Sequence, residues 1–600
     1  MDINKFYGGE AFDAYTYFGA HPLESGGYIF RVYAPNAEKV RLIGDFSVWE
    51  ELEMEPDDSE RIYDAEVSGA EEWNRYKYRI YTPDGSFTDR CDPYGFGMEL
   101  RPGNCSVIRR LDGYTFTDAE WMSGREKNYN RPMNIYEMHL GSWKENTYYG
   151  RNGWYNYAEL ADILIPYLLE NGYTHVEFMP LSEHPADESW GYQNTGFYAP
   201  TSRYGTAAQL QYLVDRLHGA GLGAILDFVP VHFAVDGYAL KRFDGTELYE
   251  YPNDVGESEW GSINFNVARG EVCSFLQSAA NYWLSEYHFD GLRMDAVSRI
   301  IFWLGDPKRG VNQKAIEFIS NMNKGLHERH PSAALIAEDS TNFLKVTAPV
   351  EYDGLGFDYK WDMGWMNDTL EYFRMHPMAR PNNSDKITFS MAYFYNELYL
   401  LPLSHDEVVH GKATIIQKMW GDYDQKFPQA RALYLYMYTH PGKKLNFMGN
   451  EFAQFREWAE YREQDWDLHR YPLHESFHQY MIRLNNIYKN SPALYSGEYN
   501  SAMFKWLIAD DKERAVFAFE RGGENNRYLV VLNFSDVAAE KRTFSLDGYV
   551  NLNELICSES EEFGGSVPPG HINYRLSHSG GETEVEIDMP PFSGQIFEIV

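Results

Sequence analysis

Cysteine is scarce in this chain: there are four in 600 residues, Cys91, Cys105, Cys273 and Cys557. They form no CxxC pair and no metal-ligand spacing. That excludes a disulfide-stapled scaffold and a zinc ribbon, and it points to reduced thiols in a cytoplasmic protein. Positive charge is also in short supply. Lys and Arg total 53 against 89 Asp and Glu, a formal charge of −36, which argues against nucleic acid and anionic membrane as partners. An uncharged substrate would meet no such repulsion. No apolar run is long enough to span a bilayer. The start, Met1-Asp-Ile-Asn-Lys-Phe-Tyr7, lacks the basic and then apolar pattern of a secretory signal. Internal repeats and low-complexity segments are missing as well.

Apolar mass and aromatic rings are plentiful. Hydrophobic residues make up 44% of the chain and aromatics 16%, with 47 Tyr and 15 Trp. Rings suit stacking on sugars, although most of them must be core. The length corresponds to roughly three or four domains.

Residues 1–110 read as a small β-sandwich of short alternating strands. Ile29–Pro35, Lys39–Gly44 and Arg75–Tyr81 are its clearest members. Trp49, Trp73, Tyr76 and Tyr78 offer a glycan-binding platform, against the plainer reading of core and cross-strand packing. Residues 111–131, charged and rich in turns, read as a linker. From 132 to 495 strand-like and helical runs alternate. Strands are expected at Asn134–His139, His175–Met179, Ala224–Val229, Gly291–Val297, Ala334–Glu338, Leu355–Tyr359, Leu398–Leu403 and Lys444–Met448. Helices are expected at Tyr157–Asn171, Ala207–Ala220, Val272–Glu286, Gln313–Arg329, Met363–Phe373, Pro428–Tyr438 and Glu475–Ile487. Eight strand–helix repeats predict a closed (β/α)₈ TIM barrel, an α/β fold whose active sites lie at the C-terminal strand ends. Residues 496–600 return to short strands and read as a second β-sandwich.

The stretch Gly291-Leu-Arg-Met-Asp-Ala-Val-Ser298 organises the rest. In a strand, residues two apart share a face, so Arg293 and Asp295 project together. The guanidinium should favour the ionised carboxylate and so prepare a nucleophile. Taken alone, the pair is equally an ordinary ion pair. Three more carboxylates follow apolar runs at matching places: Asp227, Glu338 and Asp406. One such residue could cap a helix, but four on one barrel converge on one mouth. Converging carboxylates suit a glycosidic bond. A retaining mechanism needs a nucleophile and an acid/base about 5–5.5 Å apart, here Asp295 and Glu338, with Asp406 stabilising the positive sugar ring. His232 and His405 are placed to donate hydrogen bonds to that ring. The run His405-Asp-Glu-Val-Val-His410 lacks the HExxH arrangement of a zinc protease.

At these residues the chain resembles the α-amylase family of glycoside hydrolases and, within it, the 1,4-α-glucan branching enzymes. The likeness runs nearly the whole length. Asp227-Phe-Val-Pro-Val-His-Phe233, Gly291-Leu-Arg-Met-Asp-Ala-Val297, Ala337-Glu-Asp-Ser340 and Ser404-His-Asp-Glu-Val-Val-His-Gly-Lys412 look like the family's four conserved regions. Ser189-Trp-Gly-Tyr-Gln-Asn-Thr-Gly-Phe-Tyr-Ala-Pro200 and Phe447-Met-Gly-Asn-Glu-Phe-Ala-Gln454 resemble the branching members in particular. Many bacterial members carry a Gly-Gly-Arg-Glu-Asn-like segment before the fourth helix; this chain has Lys308-Arg-Gly-Val-Asn312 in a shorter connection.

The resemblance implies a carbohydrate-binding module in front of the barrel. It implies Asp295 as nucleophile, Glu338 as acid/base and Asp406 as transition-state stabiliser. Substrate contacts are implied for Tyr192, which stacks on the sugar under attack, and for Asp227, His232, Arg293 and His405. The expected reaction cuts an α-1,4 linkage and rebuilds it as an α-1,6 branch in glycogen, amylose or amylopectin. It requires no metal or organic cofactor, and a monomer is expected. Two readings stay open beside it: an α-glucan hydrolase, amylase or debranching type, with the same triad, and a glucan-binding protein with an inactive barrel.

Overall fold

The computed structural model describes residues 1–59, 61–147, 153–523 and 526–600. Near the N-terminus two antiparallel sheets form. One runs in the order Gly19–Pro22, Tyr28–Tyr33, Ile62–Val67, Glu55–Pro56; the other is built around Lys39–Gly44 and Arg75–Tyr81. The alternation in Arg75–Tyr81 sends Tyr76, Tyr78 and Ile80 inward. Both tyrosine hydroxyls donate to Asp92 Oδ2, at 2.8 and 3.0 Å. A glycan platform therefore cannot include Tyr76 or Tyr78. Trp73 is exposed but lies beneath Arg109, whose guanidinium sits 3.3 Å from the ring centre. Trp49 donates its indole N–H to Asp45 at 3.1 Å.

The linker segment is pinned down. It carries the short helix Ala119–Gly124. Tyr114 and Thr117 hydrogen-bond Asp215, and Trp121 and Arg125 reach Asp290. The turn-rich segment is thus fixed at four side chains, Tyr114, Thr117, Trp121 and Arg125, each meeting a carboxylate of the barrel domain.

Eight parallel strands form a closed barrel: β1 Asn134–Met138, β2 His175–Phe178, β3 Gly223–Phe228, β4 Gly291–Met294, β5 Ala334–Ala337, β6 Tyr359–Trp361, β7 Tyr399–Leu403 and β8 Lys443–Phe447. Most are buried at every position, as strands covered on both faces require. Helices fall where their periodicity placed them: α1 Tyr157–Glu170, α2 Ala207–Gly219, α3 Gly270–Glu286, α4 Gln313–Arg329, α5 Met363–Arg374, α6 Tyr423–Thr439 and α7 Pro472–Asn490.

Among the boundaries that depart from expectation, three have a visible cause. β4 stops at Met294, one residue before Asp295, and Ala296 turns into the left-handed region at φ 47°. β6 begins where Leu355–Tyr359 was expected to end. Leu355 and Gly356 instead bond back to Lys345 and Ala348, and Gly356 takes a φ of 79° that no strand holds. α6 starts five residues before Pro428, because Asp422 and Gln425 form a reciprocal capping box that sets its first turn.

The C-terminal residues form a five-stranded sheet, ordered Phe504–Ile508, Val516–Gly523, Asn526–Asn533, Ser593–Ile599, Leu552–Cys557, and a three-stranded sheet. Val516, Leu529, Val531, Val585, Ile587 and Phe597 share one core between them.

Candidate active site

Strand register sets the first cluster. Parallel pairing puts Asp227 of β3 beside Arg293 of β4, and Arg293 beside Ile336 of β5. The ladder continues one residue past the strands: Asp295 N–H donates to Phe228 at 3.0 Å, and Glu338 N–H to Met294 at 3.1 Å. Three acids distant in sequence thus reach one end of three adjacent strands.

Arg293, 1% exposed, ties them together. Its Nη1 donates to both oxygens of Asp227, at 2.8 and 2.9 Å, and to Asp295 Oδ1 at 2.7 Å. Its Nη2 lies 3.2 Å from Glu338 Oε2. A planar fork of fixed donors suits this arrangement; a lysine could not span it. Accessibility then separates the acids. The Asp227 side chain is 1% exposed, whereas Asp295 and Glu338 keep 13% and 17%. Asp227 is committed to the guanidinium, and the other two can meet a substrate. The Glu338 carboxylate is held further by Ala296 N–H at 2.8 Å. Asp295 and Glu338 therefore flank one guanidinium.

The electrostatics correct one expectation. Burial pushes the Asp295 carboxyl well above the usual carboxylate range; Arg293 pulls it down, and Glu338 and Asp227 push it up again. One cation serves three acids, so its pull on Asp295 does not offset the burial of that carboxyl. Arg293 alone does not bring the Asp295 carboxyl back to the usual range, because burial outweighs it and it also serves Asp227 and Glu338.

Tyr192 joins this cluster. Its hydroxyl donates to Asp227 Oδ2 at 2.5 Å, and its ring centre lies 5.9 Å from the Arg293 guanidinium carbon. His232 sits in a two-residue strand paired with Ile263–Asn264. Its ring lies 5.1 Å from that of Trp260, and its Nδ1 is buried without a hydrogen-bond partner among the described residues. Burial lowers its pKa to about 4, so it is neutral at pH 7.

The second cluster lies in the turn after β7. His405 Nε2 is 3.6 Å from Asp406 Oδ1, and the Asp406 side chain is 44% exposed. Glu137, fully buried in β1, accepts from the His405 main-chain N–H at 3.0 Å and pairs with its Nδ1 at 2.5 Å. That bond puts the Nδ1 proton on the Glu137 side and turns Nε2 toward Asp406. Glu137 escaped the reading of the sequence. The signal was there, an acid in the otherwise apolar run Asn134–Met138, but a single charge in a strand has no partner until the fold supplies one.

Known proteins bear on this arrangement. Residues 17–95 match carbohydrate-binding module 48, the isoamylase N-terminal domain. Residues 506–600 match the alpha amylase C-terminal all-beta domain. A 1,4-alpha-glucan branching enzyme GlgB from Bacillus caldolyticus is 42% identical over 617 residues, covering 100% of this chain and 92% of that protein. One from Bacillus cytotoxicus is 41% identical over 615 residues, covering 100% and 94%. Among solved structures, a pullulanase from Paenibacillus barengoltzii complexed with maltotetraose superposes with a TM-score of 0.74 at 17% identity, over 97% of this chain and 96% of that one. The catalytic module of the glycogen-degrading pneumococcal factor SpuA gives 0.75 at 14% identity, over 97% of each chain. Identities this low speak to the fold alone.

Proposed function

This chain belongs to the 1,4-alpha-glucan branching enzymes of the α-amylase family, and from that footing we propose how its own residues carry the reaction. The activity is glucan branching transfer on an α-glucan: an α-1,4 linkage is cut and the freed chain moves to a 6-hydroxyl, leaving an α-1,6 branch. Asp295 attacks the anomeric carbon as the bond to the leaving oxygen breaks, and Glu338 gives that oxygen its proton. A glucosyl ester on Asp295 results. Glu338, now a carboxylate, takes the proton from the acceptor's 6-hydroxyl, whose oxygen attacks the same carbon and releases Asp295. Two inversions leave the configuration retained. The mechanism needs Asp295 ionised as it attacks, and the developing positive ring favours that state.

Asp406 stabilises the positive ring, with His405 beside it. His232 supplies a neutral hydrogen-bonding ring. Tyr192 and Arg293 keep Asp227 and Asp295 in place beneath the sugar. Glycogen, amylose and amylopectin are the glucans in view. The four free thiols suit a reducing cytoplasm, no helix among the described residues is long and apolar enough to cross a membrane, and the enzyme works as a monomer.

The observation that supports this reading is the single Arg293 guanidinium bridging Asp295 and Glu338 at adjacent strand ends. The test is iodine-stain loss on amylose, read beside reducing ends. Branching removes stain without a matching rise in reducing ends; reducing ends in proportion would instead mean hydrolysis. Asp295→Ala should abolish turnover in a folded protein, and Glu338→Gln should lower kcat by about 10²–10⁴-fold. A near-normal rate in either variant overturns its assigned role.

A further inference from the structure

Three side chains outside both clusters described above meet at the start of α7. The helix opens on Pro472, whose fixed φ suits the first turn. Glu475 and His478, three residues apart, then share one face. His469 approaches from the short 3₁₀ turn Trp466–Arg470 just before the helix. One ring nitrogen from each histidine and one carboxylate oxygen lie within 4.8 Å of one another.

Neighbours fix the rings and their protons. Asn171 Nδ2 donates to the Tyr167 carbonyl at 2.9 Å, which turns Oδ1 toward His478. His478 Nε2 therefore donates to that oxygen, at 2.6 Å, and the lone pair is left on Nδ1. A metal-ligating histidine has this form: one nitrogen donates outward to a carbonyl or carboxylate, and the other is bare. Burial lowers the His478 pKa to about 4, so the ring is neutral at pH 7. Glu475 Oε2 bonds His469 Nδ1 at 2.8 Å, and its Oε1 accepts from Gln479 Nε2 at 2.9 Å. Burial pushes the Glu475 carboxyl up, but those bonds outweigh it and leave it below the usual value. The two imidazoles meet edge to face at 4.8 Å, and near-parallel rings back each of them, Trp466 behind His469 and Tyr167 behind His478. An ion pair between His469 and Glu475 alone does not require a second, neutral imidazole against it.

The donor set selects the ion. Two imidazoles and one carboxylate suit Zn²⁺, whereas Ca²⁺ and Mg²⁺ take oxygen ligands. Four-coordinate Zn²⁺, with bonds of about 2.0–2.2 Å, holds its ligand atoms about 3.3 Å apart, so the three groups draw inward on binding. His469 and Glu475 keep 27% and 44% of their side chains exposed. They have room to rotate, and water completes the fourth position.

We propose that His469, Glu475 and His478 bind one Zn²⁺ ion, which fastens the turn Trp466–Arg470 to the first two turns of α7 and has no part in the branching chemistry. Enzyme stripped with a chelator and titrated with Zn²⁺ should take up one equivalent by calorimetry, and Co²⁺ should give the visible absorption of a four-coordinate site. His469→Ala and Glu475→Gln should each weaken Zn²⁺ binding more than about 100-fold, and Asn171→Ala, which removes the acceptor for His478 Nε2, by about 10–100-fold. Saturating Zn²⁺ should raise the thermal midpoint of the wild type and leave those of His469→Ala and Glu475→Gln at their metal-free values. Zn²⁺ that binds His469→Ala and Glu475→Gln with wild-type affinity would belong to other side chains and overturn the assignment. A wild-type enzyme that takes up no Zn²⁺ overturns it too.

Discussion

Replacing Glu137 by glutamine tests whether a residue far from the reacting bond sets the proton position on His405. The carboxylate accepts two bonds, from the His405 main-chain N–H at 3.0 Å and from its ring Nδ1 at 2.5 Å. An amide has one acceptor and one donor end. The main-chain N–H has no alternative state, so the amide oxygen must turn to it. The NH₂ then faces Nδ1, which can only accept, and the ring proton moves to Nε2, the nitrogen 3.6 Å from Asp406. Both bonds survive, now neutral rather than charge-assisted, so the fold loses only about 1–2 kcal/mol. Asp406, meanwhile, becomes engaged by an imidazole N–H instead of by substrate. Loss of such a supporting partner typically costs about 10–100-fold, and kcat in the branching assay should fall by that much. Imidazole ¹⁵N shifts should report the changed tautomer. A Glu137→Gln enzyme with wild-type kcat and a lowered thermal midpoint would refute this account and reduce Glu137 to a packing role.

Tyr192→Phe removes the hydroxyl that donates to Asp227; an unmet acceptor in that cluster should lower kcat/KM by about tenfold, with the thermal midpoint nearly unchanged. His218 makes a pH prediction. Its Nδ1 and Nε2 face Asp118 and Asp290 at 2.7 and 2.9 Å, so both nitrogens donate and the ring is charged. Burial lowers its pKa, but the two carboxylates outweigh that and leave it raised. The stability it contributes is therefore complete below the unfolded pKa of about 6.5 and is lost as pH rises through the folded value. His218→Gln should cost about 3 kcal/mol near pH 6 and progressively less at alkaline pH, read as the difference in unfolding free energy between variant and wild type. An unchanged difference across that range would contradict the charged state.

Much of this protein was legible in its residues because the signals are local. Burial on both faces makes barrel strands apolar throughout, so the eight runs stand out from the amphipathic helices between them. An acid that closes an apolar run, as Asp227, Asp295, Glu338 and Asp406 do, marks a strand end without knowledge of its neighbours. α4 was bounded correctly at both ends, since Asn312 caps its start by accepting from Ala315 N–H. Boundaries failed where a remote or unusual bond overruled local propensity: Gly356 bent back onto Ala348, and the box at Asp422 carried α6 through Pro428.

The primary structure by itself determined which segments become strands, which acids end them and which family the chain belongs to. Those properties depend on residue type and spacing within a few turns of chain. Tertiary structure alone decided how charge is shared: that Arg293 serves Asp227 and Glu338 as well as Asp295, that Asp295 has a raised pKa, that Glu137 orients His405, and that Tyr76 and Tyr78 are core instead of a sugar platform. Electrostatic energy falls with distance through a medium whose dielectric depends on burial. Neither the distances nor the burial exist until the strands are in register.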